Sequence, residues 1–381
     1  MSDPAELLAL ARTRGDACLE RWERLVALET PSGDADLAAV FGKELAAGLA
    51  PTADRVEHPP GPGGDHLVAH WPGRSADAGH VLLVAHSDTV FPAGTVAGRP
   101  FTLAEDGDTV TGPGVFDMKG SLVAVELAMD LLARTGGAPS RPVRLLVVND
   151  EEIGSPDGSR LVAAHADGAV AVLGLEPPLP GGVLKTGRRG VARIRLSVRG
   201  VGAHAGLDAA QGVSAIDELV DQLAALRAVA AGLPDAALNV GTVSGGTRAN
   251  VVAEHAEAEI GLRYATPETE QALLAAAREP RAVRPRAVLS ARTLSHRPAW
   301  ARDPENPLAA ELVALGGPLG LDLSCGTSGG AGDTNLTGAL GIPTVDGLGP
   351  DGAGAHSEDE WASLSSLLTR GALLASYLSR D

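Results

Sequence analysis

The chain is short of several things, and each shortage excludes a class of protein. Only two of its 381 residues are cysteine, Cys18 and Cys325, too few and too far apart for a disulfide framework or a cysteine zinc site. Any bound metal must therefore use histidine and carboxylates. Positive charge is also scarce: 31 Lys plus Arg stand against 48 Asp plus Glu, and the formal charge of −17 repels nucleic-acid phosphates and anionic lipid. Neither nucleic acid nor membrane is expected as a partner. Lysine occurs only at Lys43, Lys119 and Lys185, which with 48 glycines reads as a base-composition bias of the genome rather than as function. No run of about 18 apolar residues is present, and the charged start MSDPAELLALARTRGDACLERWERLVALE reads as one amphipathic helix, not a signal peptide. The expectation is a soluble cytoplasmic protein without repeats or low-complexity linkers.

What is present can bury a sizeable core: 44% of residues are hydrophobic and 21% charged, in a length that favours two domains. Three short apolar runs, VLLVAHSD (81–88), RLLVVNDEE (144–152) and AVLGLE (171–176), each end in acidic or imidazole side chains. They are too short for helices and too continuous for half-exposed strands, which predicts strands of a mainly parallel sheet buried on both faces. Ligands of such sheets bind beyond the carboxyl ends of the strands, where His86, Asp88, Glu151, Glu152 and Glu176 fall.

From about residue 190 the pattern changes to alternation. In VARIRLSVR, Ala192, Ile194, Leu196 and Val198 face one way and the arginines with Ser197 the other. A helix near 213–230, strands near 238–243 and 252–263, a helix near 267–279 and a strand near 286–293 complete the order βαββαβ of a ferredoxin-like unit. The buried α/β character returns at GIPTVDGLG (341–349), before a closing helix in SEDEWASLSSLLTRGALLASYL. The expected architecture is α/β: a catalytic domain from residues 1–187 and 296–381, interrupted by a small insert over 188–295.

Divalent metals need carboxylate oxygens and imidazole nitrogens converging in a fixed shell, and a metal pair needs a bridging ligand. His86, Asp117, Glu152, Glu176 and His356 can supply such a set. Taken singly, an acidic residue after a strand is most often a solvated loop residue or helix cap. As a set they point to metal, and the adjacent Glu151 and Glu152 repel each other unless cations or a shared proton hold them.

With these motifs the sequence resembles the M20 metallopeptidases, and within them the glutamate carboxypeptidase (carboxypeptidase G-type) branch. The resemblance rests on AHSDTV (85–90), GPGVFDMKG (112–120), NDEEIGS (149–155), LEP (175–177), GVGAHAG (200–206), GTRANVV (246–252) and GAHSEDEW (354–361). It implies a zinc-peptidase-like catalytic domain with a mainly parallel mixed sheet and an inserted ferredoxin-like lid that dimerises. It further implies two zinc ions per chain, replaceable by cobalt or manganese, with Asp117 bridging, His86 and Glu176 completing one site, and Glu152 and His356 the other. Glu151 becomes the general base for attack by a metal-bridging hydroxide, and Asp88 holds His86 from behind. His204 of the insert would stabilise the oxyanion, usually in the partner subunit. Asn250, Arg263 and, more weakly matched, Arg297 would hold a substrate carboxylate. The implied activity is hydrolysis of the amide bond of a C-terminal or N-acylated amino acid, glutamate first, by a homodimer. An N-acyl-amino-acid deacylase or dipeptidase is the alternative, then a non-catalytic metal-binding relative.

Some residues depart from the family pattern or keep another reading. Ala203 stands where the family often has serine, and Met118 where many relatives have aspartate. Arg263 alternates with Glu257 and Glu259, which also fits a surface ion pair. Lys185, Arg188 and Arg189 form a basic cluster at the start of the insert, and most such clusters are only solvated. SCGTSGGAGDTN (324–335) offers backbone N–H groups to a carboxylate, with Cys325 read as a packed residue rather than a nucleophile. GVGAHAG superficially resembles a dinucleotide-binding loop, but its third glycine comes one place late. No GxSxG elbow supports a serine hydrolase.

Overall fold

The computed structural model describes residues 3–75 and 79–380. The chain divides into two compact units: residues 1–187, 302–328 and 332–381 form one, and residues 188–301 with 329–331 form the other. The second unit thus runs beyond the expected boundary at 295 to Ala301, because its last strand extends to Arg297.

In the first unit, six strands lie in the order Arg55–Glu57, Leu67–Trp71, Val143–Val148, His80–His86, Ala169–Gly174, Thr344–Val345. The ladders joining the last four are parallel; the first two strands add antiparallel ones. Sheet alternation sends Leu83, Leu145 and Leu173 into one core with Trp22, Phe41 and the helices Gly120–Arg134 and Leu364–Leu378. Leu82, Val84, Leu146 and Val172 enter another core with Leu161 and Val162 of the helix Gly158–Ala166. Burial on both faces is why these strands read as continuous apolar runs.

Two expected helices differ from the structure. The N-terminal segment forms two helices, Pro4–Arg12 and Gly15–Ala27, the first capped by Asp3 and ended at Thr13. The closing helix begins only at Leu364, where the Ser363 hydroxyl accepts from Ser366 N–H at 3.0 Å. Residues before it form the strand Trp361–Ser363, paired in a small sheet with Gly352–Ala353 and Thr109–Thr111. Among the described residues, no helix is long and apolar enough to cross a membrane.

The second unit follows the order Gly190–Arg199, Ala215–Ala231, Ala237–Gly245, His255–Tyr264, Pro267–Arg278, Val288–Arg297. Its strands make one antiparallel sheet with Gly190–Arg199 and His255–Tyr264 in the centre. Ala192, Ile194, Leu196 and Val198 pack against Leu219, Leu226, Leu273 and Leu274 of the two helices, and the arginines between them line the other face.

Candidate metal centre

The sheet brings seven of the expected residues of the first unit to one place. His86 ends its strand, Asp88 lies two residues on, Glu151 and Glu152 open a single 3-10 turn after Val143–Val148, and Glu176 follows Ala169–Gly174. Asp117 comes from the kinked, non-helical part of the turn Val115–Lys119 before the helix Gly120–Arg134, and His356 from the segment after Gly352–Ala353.

Asp117 stands between the two histidines. Its Oδ1 lies 3.0 Å from His86 Nε2, and its Oδ2 lies 3.3 Å from His356 Nε2. His86 Nε2 is also 3.6 Å from Glu176 Oε1, and His356 Nε2 is 3.1 Å from Glu152 Oε2. Ligand atoms of His86, Glu151 and Glu176 fall within 4.8 Å of one another, as do those of His86, Asp117 and Glu152. His356 adopts φ +64, a left-handed conformation uncommon for non-glycine residues.

The surrounding carboxylates favour the charged form of both imidazoles. Hydrogen bonds that its ring donates to the Asp117 and Glu152 carboxylates push His356 up to about 10. Burial alone would lower His86, but Asp117 and Asp88 raise it well above the ordinary histidine value. Burial would raise Asp117, yet the two histidines hold its carboxyl well below the usual range. Glu152 Oε1 is buried with no hydrogen-bond partner among the described residues, a costly state for a carboxylate oxygen without a cation. Two imidazoles and three carboxylates, one of them facing both histidines, fit a pair of borderline divalent ions.

Behind the ligands, Asp88 is buried and its carboxylate accepts from the N–H groups of Glu151 at 3.0 Å and Glu152 at 3.1 Å. The Ser32 hydroxyl donates to the same carboxylate at 2.6 Å. Asp150 caps the next helix through the N–H groups of Asp157 and Gly158, and His66 Nδ1 accepts from Asn149 N–H at 3.2 Å, so the Glu151 turn is anchored on both sides. Met118 turns its sulfur to the His86 N–H at 3.3 Å. Lys119 is buried, donates to Leu28 O at 2.6 Å, and is pushed down to about 7 by burial against the pull of Glu29 and Glu360.

Ser32 and Glu360 were not singled out by sequence. Ser32 carries no signal beyond its place in a turn-like TPSG. Glu360 is the third of three consecutive acids after Ser357, and of these it alone is buried. Cys325 lies on the strand Cys325–Ser328, where burial raises its thiol pKa, the opposite of nucleophile activation. In the glycine-rich segment, Gly332 N–H is already taken by Asn335 Oδ1 at 2.8 Å.

In the second unit, His204 and Asn250 lie together: His204 bridges to Val251, and Ala205 N–H donates to the Asn250 carbonyl at 3.0 Å. His204 is exposed, and its Nδ1 accepts from Gly206 and Leu207 N–H, both at 3.1 Å, leaving Nε2 as the donor of the neutral ring. Arg263 and Arg297 flank Val191 across three strands on the face away from the helices. Glu259 pairs with Arg193 and Arg195 instead of Arg263, and among the described residues Arg263 makes no ion pair. The basic cluster is dispersed: Lys185 Nζ is 3.9 Å from Glu176 Oε2, Arg188 donates to Gly330 O at 2.9 Å, and Arg189 pairs with Asp235 at 3.4 Å.

Residues 82–380 match Peptidase family M20/M25/M40. Carboxypeptidase G2 of Pseudomonas sp. (strain RS-16) is 29% identical over 96% of this chain and 89% of its own length. A succinyl-diaminopimelate desuccinylase of Delftia acidovorans is 27% identical over 77% of this chain and 80% of its own. Among solved structures, aminopeptidase PepT of Bacillus cereus superposes with a TM-score of 0.73 at 20% identity, covering 96% of this chain and 98% of that one. The M20 family metallo-carboxypeptidase Sso-CP2 of Sulfolobus solfataricus gives 0.70 at 15% identity, covering 95% and 98%. These likenesses carry the fold, and the match over most of the sequence carries more: the chain is a hydrolytic enzyme and belongs to Peptidase family M20/M25/M40.

Proposed function

We propose that the protein hydrolyses the amide bond of a C-terminal or N-acylated amino acid at a centre of two divalent metals, zinc first, with glutamate as the preferred released residue. The observation that carries the reading is Asp117, whose two carboxylate oxygens each face a histidine, His86 on one side and His356 on the other. His86 and Glu176 would complete one metal site, and Glu152 and His356 the other. The ions, when bound, supply Lewis acidity to water and to the scissile carbonyl.

The remaining chemistry falls to the chain. Glu151, held by the Asp88 carboxylate through its own N–H, takes a proton from the attacking water and returns it to the leaving nitrogen. Nε2 of His204, the ring's free donor, is suited to an oxyanion, while Asn250 and Arg263, with Arg297 in the same row of the sheet, are suited to a substrate carboxylate. A homodimer through the second unit is supported by its exposed apolar side chains, Ile216 and Val220 on the helix Ala215–Ala231 and Val243 on the edge strand Ala237–Gly245.

The test is a panel of peptidyl and N-acyl amino acids assayed with zinc or cobalt, with metal analysis and Glu151→Gln. Two metals per chain are expected, with turnover in the variant reduced about 10²–10⁴-fold and metal retained. Protein that stays metal-free after zinc reconstitution overturns the reading. A panel in which only N-acyl substrates turn over moves it to a deacylase. Sedimentation showing a fully active monomer overturns the dimer and any histidine shared between subunits.

A further inference from the structure

We infer that Glu360 is a positioning residue of the metal centre: its carboxylate clamps the turn that carries Asp117 and so fixes where the bridging carboxylate stands. The inference rests on the metal-centre reading above. Glu360 is completely buried, at 0% exposure. One of its oxygens accepts from Gly114 N–H at 2.9 Å; the other accepts from the N–H groups of Phe116 and Asp117, both at 3.0 Å. Burying a carboxylate is costly, and the three backbone donors offset part of that cost by favouring its charged form. The same donors lose their water on folding, so the clamp satisfies both partners.

The choice of side chain is informative. Only a carboxylate offers two acceptor oxygens and no donor, whereas an amide would turn its own N–H groups toward backbone N–H groups. Glu360 also lies four residues after His356, so one short segment meets Asp117 twice. His356 Nε2 stands 3.3 Å from the Asp117 carboxylate, and Glu360 takes the Asp117 N–H. Lys119 ties the far side of the turn to Leu28 O at 2.6 Å. Asp117 is thus held by its main chain before any ion is present, and because it faces both histidines, a shift in it reaches both halves of the centre.

The experiment is a titration of the metal-free protein with Co2+ against a chelator, following the visible cobalt bands, for wild type, Glu360→Gln and Glu360→Asp. Both cobalt affinities are expected to fall together, about 10–100-fold in Glu360→Gln, the usual cost of losing a partner behind a ligand. Glu360→Asp keeps both oxygens on a shorter stem and is expected to fall between that variant and wild type, and it decides the matter if Glu360→Gln does not fold. A variant whose metal-free melting temperature drops while both affinities and the cobalt spectrum stay as in wild type makes Glu360 a plain structural anchor and overturns the proposal. Loss at one site only overturns the route through Asp117. Wild-type protein that binds no cobalt sinks the metal-centre reading itself.

Discussion

The Asp88 carbonyl oxygen lies 2.9 Å from His86 Nδ1, while the nearest oxygen of its carboxylate stands 3.5 Å away. His86 is therefore oriented chiefly by the main chain of Asp88. The carboxylate is left for the N–H groups of Glu151 and Glu152 and the hydroxyl of Ser32. One residue thus sets the ring that faces Asp117 and the turn that carries the proposed base.

It follows that Asp88→Asn acts mainly on the Glu151 turn. The amide keeps one acceptor oxygen and points a donor at groups that are themselves donors, so the turn must move. A displacement of about 1 Å at a catalytic group costs on the order of 10² in rate, and a kcat reduction of about that size is expected in steady-state assays. Because the carbonyl that holds His86 is untouched, one metal should still be retained on metal analysis. A wild-type kcat would contradict this division of labour.

Ser32→Ala removes one donor to a buried carboxylate and leaves two. Hydrogen bonds to charged groups contribute about 1.5–3 kcal/mol, so a stability loss in that range is expected by urea unfolding. The effect on kcat should be smaller than that of Asp88→Asn, since the Glu151 and Glu152 contacts remain.

The contrast between Asp88 and Ser32 shows what sequence can disclose. The three apolar runs and the alternation in VARIRLSVR were legible because burial on two faces or on one writes directly into residue order. The motifs around His86, Asp117 and Glu152 were legible because ligand types are few. Ser32 and Glu360 were not, because their partners lie 56 and about 240 residues away and, for Glu360, are backbone N–H groups, which every residue but proline carries. The break at Thr13 and the late start of the last helix are set by local capping and by strand pairing, which apolar periodicity does not record.

Gly48 offers a prediction with a reversed sign. It lies in the helix Ala35–Leu49, where Gly→Ala normally stabilises by about 0.5–1 kcal/mol. Here an added Cβ would run into the guanidinium of Arg21 and the carboxylate of Glu126. Arg21 holds Glu126 with two bonds, at 2.8 and 2.9 Å, and also meets Glu44. Gly48→Ala should therefore destabilise, by about 1–3 kcal/mol as for other overpacked sites, measured as a lower urea midpoint. Arg21→Ala, which leaves Glu126 buried without its cation, should cost about 3–5 kcal/mol.

His80 makes stability depend on pH. It is buried at the start of its strand, with Nε2 at 2.8 Å from the His165 carbonyl, a bond the neutral ring donates. Burial lowers its pKa, the His165 carbonyl opposes, and Arg144 lowers it further. The unfolded chain keeps the ordinary value of about 6.5, so below that pH it binds protons more readily than the folded protein. The contribution is complete above about 6.5 and is lost as pH falls through the lowered folded value. His80→Gln keeps an N–H for the His165 carbonyl and has nothing to titrate. Its melting temperature should therefore fall less than that of wild type between about pH 7.5 and pH 5.5. Protonation of the metal ligands is common to both proteins, so the difference reports on His80. Equal losses in the two proteins would show that His80 titrates alike folded and unfolded, and burial at this strand start would then have no part in the acid sensitivity.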